Sequence, residues 1–179
     1  MTDIFIGIDP GKTGAVGIIE GSKLIEIIPT PTLRFSKGDI RYDMAGMNRI
    51  VERINDMGTD VRLCAIEQQH AMPAVGRGQG HCPGCGKAIP SLHIIQGAVS
   101  LFTTGLGYGL WLGLLQGRIP YREVPAKTWQ KAMFTIIGRD TKASSVVAAS
   151  ALFPGQKFVK SRHGEADAAL LAAWARDHQ

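Results

Sequence analysis

Apolar residues run almost unbroken through Ile4-Phe5-Ile6-Gly7-Ile8 to Asp9, which predicts a strand buried on both faces and central in a sheet. Pro10-Gly11-Lys12-Thr13-Gly14 reads as a turn into a second strand over 15–20, and Gly21-Ser22 turns into a third over 23–28. These three form an antiparallel meander. Residues 29–39 read as a loop. Met44, Met47, Ile50, Val51 and Ile54 recur at helical spacing, predicting a helix over 43–57 with Asp43 as its cap. An apolar strand over 60–67 returns beside the first. Residues 72–92, rich in Gly and Pro, show no periodicity and read as a long loop. A helix over 100–117, a strand over 119–124 and helices over 125–133, 140–152 and 164–176 complete the chain. The sum is one α/β domain over residues 1–179, a mixed five-stranded sheet flanked by helices, with a loop insertion at 70–96.

No charged side chain lies between Lys87 and Arg118. Residues 97–115 could span a bilayer by length alone, but the run is rich in glycine and holds Ser and Thr, so a buried central helix is expected. The N-terminus lacks a basic segment and a small-residue cleavage site, and does not read as a signal peptide. Cytoplasmic residence, in a bacterial or phage-infected cell, is expected, with no membrane partner.

Charge sharpens the picture by its distribution. The formal total is +5, yet residues 1–117 hold 10 basic and 10 acidic side chains, residues 118–162 hold 9 and 2, and residues 163–179 hold 1 and 3. One segment therefore carries the positive field, as suits either a polyanionic substrate or a solvated lysine-rich surface.

Three acids stand at chemically telling places. Asp9 and Glu67 each end a predicted strand, and Asp167 lies in the first turn of a final helix whose following residues are almost all Ala, Leu and Trp. Singly, each has an ordinary explanation: turn chemistry, a solvated strand end, a helix-dipole partner. Together, with the first and fourth strands as neighbours, they would crowd negative charge that only a cation can compensate. Hard oxygen ligands favour Mg²⁺, and two such ions can clamp a phosphodiester for attack by water.

Ile6-Gly7-Ile8-Asp9-Pro10-Gly11 with Gly14, Ile66-Glu67-Gln68-Gln69 and His163-Gly164-Glu165-Ala166-Asp167-Ala168 resemble the RuvC-type Holliday junction resolvases of the RNase H-like superfamily. Tyr108-Gly109-Leu110-Trp111-Leu112-Gly113, Ile119-Pro120-Tyr121, Val124-Pro125-Ala126-Lys127-Thr128-Trp129-Gln130-Lys131 and Asp140-Thr141-Lys142 resemble its phage-like, compact branch. The resemblance implies an RNase H-like fold, a homodimer, and paired symmetric nicking of branched DNA with two Mg²⁺ ions, for which Mn²⁺ substitutes. It makes Asp9, Glu67 and Asp167 three of four metal ligands. The family's fourth lies three residues before the last, where Gly164 cannot ligate. His163 or Glu165 takes its place, or water does; His163, one helical turn before Asp167, is favoured.

Gly105, Gly109, Gly113 and Gly117 recur every fourth residue, with Gly107 between. Each costs a helix about 1 kcal/mol against Ala, so a backbone approaches closely. It belongs either to the domain's own sheet or to a second copy, since the resemblance places the dimer interface on this helix. Cys82 and Cys85, in His81-Cys82-Pro83-Gly84-Cys85-Gly86-Lys87, have the spacing of a zinc knuckle. The missing ligands would come from His70, His81, His93 or a dimer partner's knuckle, and the loop is expected to touch DNA. Cys64, in an apolar run, reads as a buried strand residue. Lys127, Lys131, Arg139, Lys142, Lys157, Lys160 and Arg162 are candidate phosphate contacts, and Lys12 could reach the scissile strand.

Three rivals remain. A sugar-kinase-type fold also opens with a strand, Asp and a Gly/Thr turn, but needs a second such domain. A DNA-binding zinc module with a dead active site is opposed by the acidic trio. A general nuclease or RNase H of the same fold is separated only by substrate.

Overall fold

The computed structural model describes residues 3–70, 75–81, 85, 87–94, 98–134, 138 and 140–179. Its first three strands are β1 (Ile4–Ile8), β2 (Ala15–Glu20) and β3 (Lys23–Pro29). A small hairpin, β4 (Thr32–Arg34) and β5 (Ile40–Tyr42), leads into α1 (Met44–Asn55). Then come β6 (Val61–Gln68), β7 (Val75–His81), β8 (Ala88–Ile94), α2 (Ala98–Leu115) and β9 (Tyr121–Pro125). The chain closes with α3 (Ala126–Met133), α4 (Thr141–Leu152) and α5 (His163–Asp177). The central sheet has five strands in the order β3-β2-β1-β6-β9. β1 pairs antiparallel with β2 and parallel with β6, which pairs parallel with β9. This is the mixed sheet expected from the sequence, with β1 at its centre because both its faces are apolar.

Two apolar layers sandwich the sheet. Phe5, Ile19, Leu63, Ala65 and Val124 pack with Trp129, Ala149, Leu170 and Leu171 on the side of α3, α4 and α5. Ile6, Ile8, Ile18, Cys64 and Ile66 pack with Met47, Ile50, Trp111 and Leu115 on the side of α1 and α2. Cys64 is thus the buried strand residue anticipated. α5 lies almost on the backbone of β1: a Cβ on Gly7 would stand 2.1 Å from the Ala168 carbonyl oxygen and 2.2 Å from the Ala172 nitrogen. Asp43 caps α1 through the Gly46 N–H at 3.0 Å, and Asp140 caps α4 through the Ala143 N–H at 3.2 Å. Such caps contribute about 1 kcal/mol each.

The expected loop at 29–39 contains β4, which pairs with β5 just beyond it, and the expected loop at 72–92 contains β7 and most of β8, which pair as a two-stranded ribbon. Neither ribbon is part of the central sheet. β4 and β5 are three residues each, too short for the alternation that betrays a half-buried strand, and in the sequence of β7 glycine takes every second position, so no alternation of side chains can be read there. The glycine ridge is also corrected. α2 stops at Leu115, and Gly117 follows it with φ +71°, a helix-terminating conformation. Gly105, Gly109 and Gly113 have open space beyond them, whereas Gly107 takes the close contact, against Tyr42 and the Pro10 carbonyl. No helix among the described residues is long and apolar enough to cross a membrane.

Candidate active site

Strand alternation gathers the acids. Phe5 and Gly7 of β1 face α5, as do Leu63 and Ala65 of β6. The period of two carries the same face forward to Asp9 and Glu67. Parallel pairing sets Ile8 opposite Ile66, so the next residues, Asp9 and Glu67, emerge side by side at the end of the sheet. α5 begins over the same edge: a Cβ on Gly164 would lie 2.7 Å from the Asp9 Oδ2 and 2.4 Å from the Thr13 carbonyl oxygen. One turn further along, Asp167 comes within reach of the fields of both other acids.

Each carboxylate is held by the protein. Asp9 Oδ1 accepts from the Gly11 N–H at 3.2 Å. Glu67 accepts from the Trp129 indole N–H at 3.0 Å and from Gln69 Nε2 at 3.1 Å. Asp167 Oδ1 accepts from the Ser145 hydroxyl at 2.5 Å. Even so, all three are harder to ionise than ordinary carboxyls. Desolvation by burial raises Glu67 to about 7, and the charge of Asp9 adds to it. Burial raises Asp167 to about 7, with Asp9 and Glu67 adding and Ser145 and Lys142 opposing. Burial raises Asp9 too, while the Gly11 N–H and the His163 imidazole pull it back. Tyr42, buried next to this turn, is pushed up to about 12 by burial and by Asp9.

A cluster that resists its own negative charge, built of hard oxygen donors, has the chemistry of a divalent-cation site. The donor set fits such an ion. Its present arrangement is looser than a closed shell, for among the described residues no three His, Cys, Asp or Glu side chains stand together as an ion's ligands. His163 begins α5 and acts electrostatically on Asp9. Glu165, the other candidate for the fourth position, is instead paired with Arg162 at 3.0 Å. Gly164 is barred from bearing any ligand by the packing just described.

The basic candidates divide. Lys142 is near enough to Asp167 to lower its pKa. Lys127, Lys131 and Lys157 are exposed. Lys160 pairs with Asp140 at 2.5 Å, and Arg162 with Glu165. Lys12 donates to the Ile40 carbonyl and lies 5.8 Å from the Tyr42 ring centroid. Arg139 and Cys82 lie outside the described residues. Cys85 is an exposed free thiol in the connection between β7 and β8.

Sequence reasoning missed Trp129 and Ser145 as supports of the acids. Ser145 left a trace, a polar residue whose side chain is buried in a helix of Ala and Val. Trp129 left none, because a Trp on an amphipathic helix reads as core. Trp129→Phe keeps an aromatic ring, smaller than the indole, and removes the donor to Glu67. Supporting hydrogen bonds of this kind are worth roughly 10–100-fold in metal affinity or activity. A rise of that size in the half-saturating Mn²⁺ concentration, measured by calorimetry, is the expected outcome.

The mixed five-stranded sheet flanked by helices has the architecture of the RNase H-like fold, here with one acid at the end of the central strand, a second on the parallel neighbour and a third on the covering helix. The particular likeness is to RuvC. The structure of RuvC from T. thermophilus in complex with a Holliday junction substrate matches with a TM-score of 0.54 and 12% identity, covering 96% of this chain and 93% of that one. A second Thermus thermophilus RuvC structure matches with a TM-score of 0.52 and 15% identity over the same shares. In sequence, 91 residues, 49% of this chain, are 37% identical to the chloroplastic Holliday junction resolvase MOC1 of Chlamydomonas reinhardtii. That match spans 10% of the relative's length. No family model matches the chain.

Proposed function

We propose that the chain is a divalent-cation-dependent endonuclease that resolves four-way DNA junctions by paired nicking. The observation that carries this reading is the meeting of Asp9, Glu67 and Asp167 at one sheet edge, with Glu67 and Asp167 raised to about 7, on a fold shared with RuvC. Asp9, Glu67 and Asp167 would hold the cation, Mg²⁺ or Mn²⁺, with His163 as fourth ligand. When bound, two such ions supply an activated water and a stabilised leaving oxygen. Trp129 and Ser145 orient Glu67 and Asp167, and Lys127, Lys131 and Lys142 contact phosphates around the cut. Zinc held by Cys82 and Cys85 would stiffen the β7–β8 ribbon. Cytoplasmic residence goes with this reading.

Pairing of the nicks needs two copies. The outer face of α2 supports a homodimer: Val99, Phe102 and Leu106 are 81%, 71% and 43% exposed, beside the open ridge of Gly105, Gly109 and Gly113. A twofold axis there would set two sites at a fixed spacing.

The deciding experiment offers a synthetic four-way junction, a linear duplex and an RNA–DNA hybrid with Mg²⁺. Symmetric cuts in the junction alone are expected. Preferential cutting of the hybrid would make it an RNase H, and equal cutting of all three a general nuclease.

The raised carboxyls also set a pH dependence. Glu67 and Asp167 titrate near 7 when folded but at ordinary carboxyl values when unfolded. Between those values the folded state binds more protons, so without a divalent cation stability falls as pH rises towards and through 7. Cation binding opposes this by favouring the ionised forms. Thermal melts should therefore show a Tm that drops from pH 5 to pH 8 in chelator, and a rise on adding Mg²⁺ that is larger at pH 8. A Mg²⁺ effect equal at both values would contradict the assignment.

A further inference from the structure

The β4–β5 hairpin stands beside the acids for a topological reason. β1 ends at the site edge, so antiparallel β2 starts there and β3 returns there, with Ala15 paired to Pro29. The chain therefore leaves the sheet next to Asp9, whose N–H donates to the Ala15 carbonyl at 3.0 Å. The hairpin is tied to the turn that follows Asp9. The Thr30 N–H donates to the Gly14 carbonyl at 3.0 Å, Lys12 donates to the Ile40 carbonyl, and the buried Tyr42 hydroxyl donates to the Pro10 carbonyl at 3.5 Å. Its far side is open. Leu33 and Phe35 are 46% and 48% exposed there, with Arg41 exposed beside them, and Arg34, on the face of Ile40 and Tyr42, is exposed as well. The Arg41 guanidinium lies 4.8 Å from the Phe35 ring centroid and is shared with Asp39 at 2.8 Å. Residues 32–42 hold three basic side chains and one acid.

We propose that this ribbon is a DNA-contacting element, with Arg34 and Arg41 on backbone phosphates flanking the cut one and Phe35 against a sugar or base. The inference rests on the nuclease reading above. Tyr42 roots the ribbon in the layer of α1 and α2, whereas Trp129 and Ala149 place α3 and α4, with Lys127, Lys131 and Lys142, across the sheet. The acids at the edge thus lie between two basic walls, and a strand entering the site is gripped from both sides. Arginine next to an exposed aromatic ring suits nucleic acid better than a solvated surface, where neither Leu33 nor Phe35 has a reason to stand out. The exposed Asp39 pair is weak enough for a phosphate to displace.

The test titrates a fluorescent four-way junction, in chelator so that nothing is cut, with wild-type protein and with the double variant Arg34→Ala, Arg41→Ala. Loss of two phosphate contacts should weaken binding about 10-fold near 100 mM salt and lower the slope of log affinity against log salt by about 2. Arg34→Lys with Arg41→Lys should restore the slope. Arg62→Ala, at the opposite end of β6 and paired with Asp3 at 2.6 Å, should change neither. A double alanine variant with unaltered circular dichroism and wild-type affinity and slope overturns the proposal. Wild-type protein that grips the junction through Arg34 and Arg41 yet never cuts it sinks the nuclease reading and keeps the ribbon; protein that binds no DNA sinks both.

Discussion

Asp9→Asn is expected to leave the protein folded and bound to a four-way junction while cutting falls by on the order of 10³-fold or more, about 4 kcal/mol of transition-state stabilisation. Asn occupies the same volume, and its oxygen can still accept from the Gly11 N–H as Asp9 does now at 3.2 Å. What it loses is the negative charge. That charge helps raise Glu67, Asp167 and Tyr42, so its removal should relax all three and ease folding in the absence of a cation. The variant should therefore melt no lower than wild type in chelator. It should bind Mn²⁺ more weakly in calorimetry and bind the junction normally in an electrophoretic shift. Loss of junction binding, or a collapse in Tm, would assign Asp9 to the turn's structure and leave the acidic cluster without a chemical role.

Gly164→Asp, which would install a carboxylate at the position the resolvase pattern uses for its fourth ligand, should disable the protein rather than improve it. The new Cβ would stand 2.4 Å from the Thr13 carbonyl oxygen and 2.7 Å from the Gly14 Cα, both backbone atoms that cannot rotate away. It would also meet Asp9 Oδ2 at 2.7 Å, adding a fourth negative group to a cluster that already resists ionisation. Relief requires α5 to lift from the turn after β1, and α5 is pinned further along by its contact with Gly7. Overpacking of this kind costs about 3 kcal/mol, a fall in Tm of roughly 6–12 °C for a chain of this size. Gly164→Ala should move in the same direction by less. A Gly164→Asp variant with wild-type Tm and stronger Mn²⁺ binding would show that α5 sits higher over the site than a 2.4 Å approach to the Thr13 carbonyl allows, and would return the fourth ligand to this position.

Most of the sheet was legible along the chain because its strands are buried on one or both faces. Runs such as residues 4–8 and 61–66 carry their burial in their composition. The acids were legible for a related reason: Asp9 and Glu67 interrupt apolar runs where a strand must end, and Asp167 interrupts an apolar helix. The cap Asp43 is local chemistry and needed no tertiary partner to be read.

Other features depend on what the chain meets after folding. Trp129 and Ser145 become supports for Glu67 and Asp167 only because α3 and α4 pack over the same edge, a long-range contact with no periodic signature. The glycines of α2 looked alike in sequence, yet Gly107 meets Tyr42 while Gly105, Gly109 and Gly113 face outward, a division made by the sheet's position. The absence of a side chain at residue 164 reads as a defect in a motif until the Thr13 carbonyl and Asp9 are seen beneath it. The amino-acid order by itself determined the strands of the central sheet, the cap of the first helix and the identity of the acids, since apolar runs and backbone capping are written within a few residues. Tertiary structure alone decided which groups hold those acids, which glycines are contacts and which ribbons border the site, because those depend on distances between segments far apart in the chain.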